Sequence, residues 1–186
     1  MPDFTTPDYD PNVTFNAAGR AISTWETLEA HLSYLYSILV GKPLLIEAMK
    51  EYGRTNRIFE QRMRALCDVS EFYFTKQPSQ DHESEINTII TEARRLSTYR
   101  NQIAHGVVVA IMEALIMEKN EDFDDAAKRV RYVYCLVPPW HGVFHLNKGD
   151  NKYYRLGSYA ISAYIEEFGK LSQRVEILNK ILNPHP

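Results

Sequence analysis

Apolar residues recur at the helical period along most of this chain. Ala21, Trp25, Leu28, Leu32, Leu35 and Leu39 alternate spacings of four and three, one oily stripe on a helix predicted from about Asn16 to Val40. Gly41-Lys42-Pro43 stops it, and Pro43 suits the first turn of a short second helix, Leu44 to Tyr52, closed by Gly53. Thr55 is the expected N-cap of a third helix, with Phe59, Met63, Leu66, Val69 and Phe74 on its inner side until Gln77-Pro78-Ser79 breaks the period. A fourth begins near Asp81, and Ile86, Ile89 or Ile90, Ala93, Leu96, Arg100 and Ile103 fall on its apolar ridge. Ser158 is the expected cap of a last helix, where Ile161, Ile165, Phe168, Leu171, Val175, Leu178 and Leu182 repeat. Gly169 inside it points to a close helix contact.

Elsewhere the pattern changes. The proline-punctuated residues 1–15 read as an extended arm. The run VVVAIMEALIMEKN after Gly106 either extends the fourth helix or opens a new one, since periodicity does not separate the two. RVRYVYCLV and VFHLNKGDNKYYRL are β-branched and aromatic with turn chemistry at Lys148-Gly149-Asp150-Asn151, which predicts a small antiparallel hairpin or three short strands over about 129–156. The predicted architecture is all-α: a bundle of four to five main helices forming one domain over 16–182, with a β-hairpin insert before the last helix and a short tail at 183–186.

Composition narrows the function classes. A formal net charge of −3 gives no whole-molecule field to draw nucleic acid, so any polyanion site has to be local. Cys67 and Cys135 are too far apart for a zinc pair or a disulfide framework and suit buried thiols in a reducing compartment. With His141 and His145, Cys135 makes an incomplete ligand pattern that lacks a fourth donor. The first residues lack the basic start and apolar core of a signal peptide. No apolar run approaches the ~20 residues a membrane helix needs. A cytoplasmic location is the expectation.

One stretch carries candidate chemistry: Arg100-Asn101-Gln102-Ile103-Ala104-His105-Gly106, at the end of the fourth predicted helix. Asn101 and His105 are four apart and share a face, whereas Arg100 lies about 140° from His105 on an ideal helix. Arg100 instead follows Ala93 and Leu96 on the core-facing stripe, where an isolated charge costs several kcal/mol. A buried carboxylate partner, a wet cleft between helices, or a dimer interface that binds an anion would each resolve that conflict.

The stretch fits the R-x4-H signature and resembles HEPN (higher eukaryotes and prokaryotes nucleotide-binding) domains. A polar residue after the arginine, a glycine after the histidine, a Trp-bearing first helix and a long last helix behind a short β-element are similar too. The resemblance implies an all-α, cofactor-free, metal-independent endoribonuclease that leaves 2′,3′-cyclic phosphate ends. It also implies a homodimer whose two motifs face one shared cleft, and an antitoxin or defence partner protein. A non-catalytic module that binds a partner protein or a nucleotide is the alternative. Residue by residue, His105 would exchange a proton near neutral pH, Arg100 would hold phosphate oxygens with its planar fork, and Asn101 would orient either. Gly106 would allow close backbone approach or end the helix. Relatives paired with a nucleotidyltransferase often carry a tyrosine two positions after the histidine; here that position is Val107. A local basic supply exists in Arg54, Arg57, Arg62, Arg64, Arg94 and Arg95, which would track a phosphate backbone if they lined the same groove, and Tyr52, Tyr73 and Tyr99 would stack on bases.

Overall fold

Pro11 opens the first helix at a position where its missing N–H costs nothing, five residues earlier than the apolar stripe predicts. The arm expected over 1–15 is therefore helical from Pro11 on. The computed structural model describes residues 8–41, 45–55, 58–112, 132–139 and 154–183. Among them are five helices and two strands: α1 (Pro11–Val40), α2 (Leu45–Thr55), α3 (Phe59–Lys76), α4 (Gln80–His105), β1 (Val107–Met112), β2 (Tyr132–Val137) and α5 (Ser158–Leu182). The fold class is all-α with a small antiparallel element before the last helix. The chain divides into two compact units, Met1–Ile22 with Asn101–Ala163 and Ser23–Arg100 with Tyr164–Pro186.

The second unit is a helical assembly around an aliphatic and aromatic core. Trp25, Leu28, Leu32 and Leu35 of α1 are fully buried, as are Met63 and Leu66 of α3, Ile86, Ile89, Ile90 and Leu96 of α4, and Phe168 of α5. The Trp25 ring meets Phe59 and Phe168 with centroids 5.2 Å away in each case, the latter edge-on. Gly41 takes a left-handed φ of 65° and its N–H reaches the Ile38 carbonyl, so the predicted stop of α1 is a glycine cap.

Three local expectations in this unit need correction. Gly53 does not close α2, which continues to Thr55. Thr55 therefore does not cap α3. Ile58 stands at that N-cap, and its backbone N–H is answered by Gln61 Oε1 at 3.4 Å. A Cβ on Gly169 would meet no atom within 4 Å, so no close contact explains that glycine.

Tyr52 is buried beside the Arg62–Glu29 ion pair, where the guanidinium binds the carboxylate through Nε at 3.1 Å and Nη2 at 2.7 Å. Burial holds the phenol far above its ordinary range, Glu29 pushes the same way, and Arg62 opposes both. Its folded value lies above its unfolded one. The stability it contributes is thus complete below a pH of about 10, where an unfolded tyrosine ionises, and is lost as pH rises through the folded value. Urea titrations across that alkaline limb should show a shallower loss for Tyr52→Phe than for the native chain.

The first unit holds the β-element. β1 and β2 pair antiparallel, from Val107 opposite Val137 to Met112 opposite Tyr132. The RVRYVYCLV strand is where the sequence put it. Its partner is VVVAIM, directly after Gly106, a run expected to be helical in either reading; of the predicted VFHLNKGDNKYYRL strand, Leu156 bridges Leu136 and residues 143–153 lie outside the described residues. β-Branched residues are stiff at χ1 and pack well on a pleated surface, and β2 supplies the ladder. The predicted turn at Lys148-Gly149-Asp150-Asn151 lies outside the described residues. The outer edge of β2 is closed from two sides. The Tyr134 N–H donates to the Asp8 carbonyl at 2.8 Å, and Leu136 and Leu156 exchange backbone hydrogen bonds of 2.9 Å.

Asp8 also caps α5. Its buried carboxylate accepts the Ser158 N–H (2.7 Å) and Ser158 hydroxyl (2.6 Å), and the Thr14 hydroxyl from α1 (2.7 Å). Ser158, the expected cap, is a donor to the carboxylate that does the capping.

Candidate functional site

The boundary between the two units falls inside the motif, after Arg100. In the first unit, the last turn of α4 presents Asn101 and His105 to solvent while Ile103 between them is buried at 3% exposure. That turn is held from below. The Tyr154 hydroxyl donates to the Gln102 carbonyl at 2.9 Å, satisfying one of the four carbonyls a helix end leaves without an intrahelical partner. Burial pushes the Tyr154 phenol up, which keeps it protonated and able to donate.

Gly106 turns the chain from α4 into β1 without a left-handed φ; among the described glycines, Gly41 alone has one. The glycine is required by crowding. A Cβ there would stand 2.5 Å from Leu136 Cγ, 2.6 Å from Leu136 Cδ2 and 2.8 Å from the Gln102 carbonyl oxygen. Gly106 directly follows the last helical residue, His105, where the packing of Leu136 leaves no room for a Cβ. Gly106→Ala should lower stability by about 1–3 kcal/mol, the range for overpacking a filled site. Denaturant unfolding checks this, and Leu136→Ala should cost less in the Gly106→Ala background than in the native one.

In the second unit, Arg100 lies on the core-facing ridge of α4 as predicted but is not shut away. Its side chain is 30% exposed, its Nε is sealed from solvent, and Nη2 lies 3.5 Å from Glu26 Oε1. Glu26 is itself 61% exposed. The charge on an oily ridge thus sits in a partly exposed position beside a solvated carboxylate.

The expected phosphate-tracking arginines are drawn elsewhere. Arg94 forks onto Glu60 of α3 through Nε and Nη2, both at 3.1 Å, and this pairing, reinforced by Arg64, holds the Glu60 carboxyl below its usual range. Arg95 Nη2 reaches Glu167 of α5 at 2.7 Å. Arg62 is committed to Glu29. Arg54 is exposed on α2, and Arg57 lies outside the described residues. Tyr99 stacks on Tyr164 with centroids 4.2 Å apart and planes 18° from parallel, so one of its faces is already covered. Tyr52 is buried, and the Tyr73 hydroxyl bonds Gln77.

Among the described residues, no three His, Cys, Asp or Glu side chains gather as they would to hold a metal ion. His141 and His145 lie outside those residues; Cys135 is buried, and its thiol is pushed up by burial. No described helix is long and apolar enough to cross a membrane. Sequence spacing gave no sign of Glu26, Tyr154 or Leu136, which reach the motif from 74, 52 and 30 positions away on average chain paths too long for any local pattern. Compared with protein-family models, with curated proteins and with solved structures, the chain finds no match.

Proposed function

We propose that this chain is a metal-independent endoribonuclease of HEPN type, working as a cytoplasmic homodimer. The observation that carries the reading is the state of the motif: an exposed imidazole at a braced helix end, and an arginine side chain that is 30% exposed with its Nε sealed. In the reaction, His105 takes the proton from a ribose 2′-hydroxyl as its oxygen attacks the adjacent phosphorus. The bond from phosphorus to the 5′-oxygen breaks, that oxygen takes up a proton, and a 2′,3′-cyclic phosphate remains. Arg100 holds the phosphoryl oxygens as their charge grows, and Asn101, on the face of His105, orients the imidazole or an oxygen. Because Arg100 and His105 point about 140° apart on an ideal helix, we assign them to one phosphate from opposite protomers, one motif of each facing the other about a two-fold axis.

The test is cleavage of single-stranded RNA in EDTA with end analysis of the products. Cyclic phosphate ends from a dimeric species are the expected result. A dimer that binds but turns over no RNA would instead support a non-catalytic module for a partner protein or nucleotide. One observation favours that second reading: Arg62, Arg94 and Arg95 are spent on carboxylates and do not offer a phosphate track.

A further inference from the structure

The Arg100 guanidinium already faces an anion. Glu26 Oε1 lies 3.5 Å from Nη2, and the glutamate side chain is twice as exposed as that of the arginine. Nε is sealed from solvent, so an incoming anion meets the guanidinium at its outer nitrogens, and Glu26 stands beside one of them, Nη2. Two like charges beside one guanidinium repel, so an arriving phosphodiester oxygen cannot join the carboxylate at Nη2 at no cost.

We propose that Glu26 is a resident competitor for substrate: its carboxylate stands where a phosphodiester oxygen binds Arg100 and is displaced when RNA engages. This rests on the reading of Arg100 as a phosphate-binding residue. It makes Glu26 the affinity-determining side chain of the site. Exchanging one singly charged anion for another on a single fork gains little. A lone phosphate or mononucleotide therefore binds poorly, and a chain of several phosphodiesters wins through contacts it makes elsewhere.

The experiment uses a fluorescent single-stranded DNA oligonucleotide, which lacks the 2′-hydroxyl and is not cut, read by anisotropy at low salt on the native chain, Glu26→Gln, Arg100→Ala and the double variant. Glu26→Gln should tighten binding by up to about five-fold, the upper end for an exposed ion pair. Arg100→Ala should weaken binding, and adding Glu26→Gln to it should restore nothing. An equal gain with and without Arg100 overturns the proposal, because Glu26 would then act only through net charge. No change on Glu26→Gln alongside a loss on Arg100→Ala overturns it while leaving the nuclease reading intact. Unchanged binding on Arg100→Ala overturns both. Glu26 is solvent-exposed, so its amide variant is expected to fold, with circular dichroism as the check.

Discussion

His105→Ala is expected to lower RNA cleavage by about 100- to 10,000-fold, the contribution of a positioned general acid or base. The fold should survive, because His105 is exposed at the end of α4 and that turn is braced by Ile103, Tyr154 and Leu136 rather than by the imidazole. Arg100→Ala should lose activity on a similar scale, with circular dichroism checking that the variant folds. Mixing the two dead variants tests the composite site. If Arg100 of one protomer serves with His105 of the other, half of the randomly exchanged dimers regain one intact site of two, about a quarter of native activity. If each protomer works alone, mixing restores none. Equal activity of the native chain and both variants would assign the cleavage to a different protein in the preparation.

Asp8→Ala should be the most damaging single change to stability outside the aliphatic core, about 3 kcal/mol. The carboxylate accepts three hydrogen bonds in a buried setting, and its removal leaves the Ser158 N–H, the Ser158 hydroxyl and the Thr14 hydroxyl to find other acceptors. It also sits at the N-terminus of α5, where negative charge is favoured. Asp8→Asn keeps one acceptor oxygen and should fall between the two. Chemical denaturation of the three proteins checks the order; equal midpoints for all three would show that water replaces the carboxylate without cost.

The helical core was legible because each stripe is local. Every α1 position marked by the four-and-three spacing, Ala21 to Leu39, is buried, and Ile86 to Leu96 on α4 follow the same rule, although Ala17, Ser33, Tyr36 and Ser37 are buried too. The placement of Arg100 toward the inner ridge was legible for the same reason. What decides its surroundings was not: Glu26 reaches it from another helix, and no spacing within α4 encodes that. β1 was misread as helix because a short Val-rich run becomes a strand only when β2, some twenty residues later, offers a ladder. The arginine clusters misled in the same manner. Their density suggested a groove, but Glu60 and Glu167 lie on neighbouring helices and claim them. Asp8, whose carboxylate meets Ser158 across 150 positions, is the extreme case.

The setting of Trp25 has an optical consequence. Wedged between Phe59 and Phe168 and 1% exposed, its indole should emit at short wavelength in the native chain and shift to the red when water enters. Trp140 is the second tryptophan, so a Trp140→Phe background leaves one fluorophore, seated in the unit formed by Ser23–Arg100 and Tyr164–Pro186. In stopped-flow mixing, that signal can be timed against backbone ellipticity for the Asp8 variants, whose lesion lies in the other unit. Coincident traces mean a single cooperative transition; a lagging fluorescence change means the Asp8 region melts first.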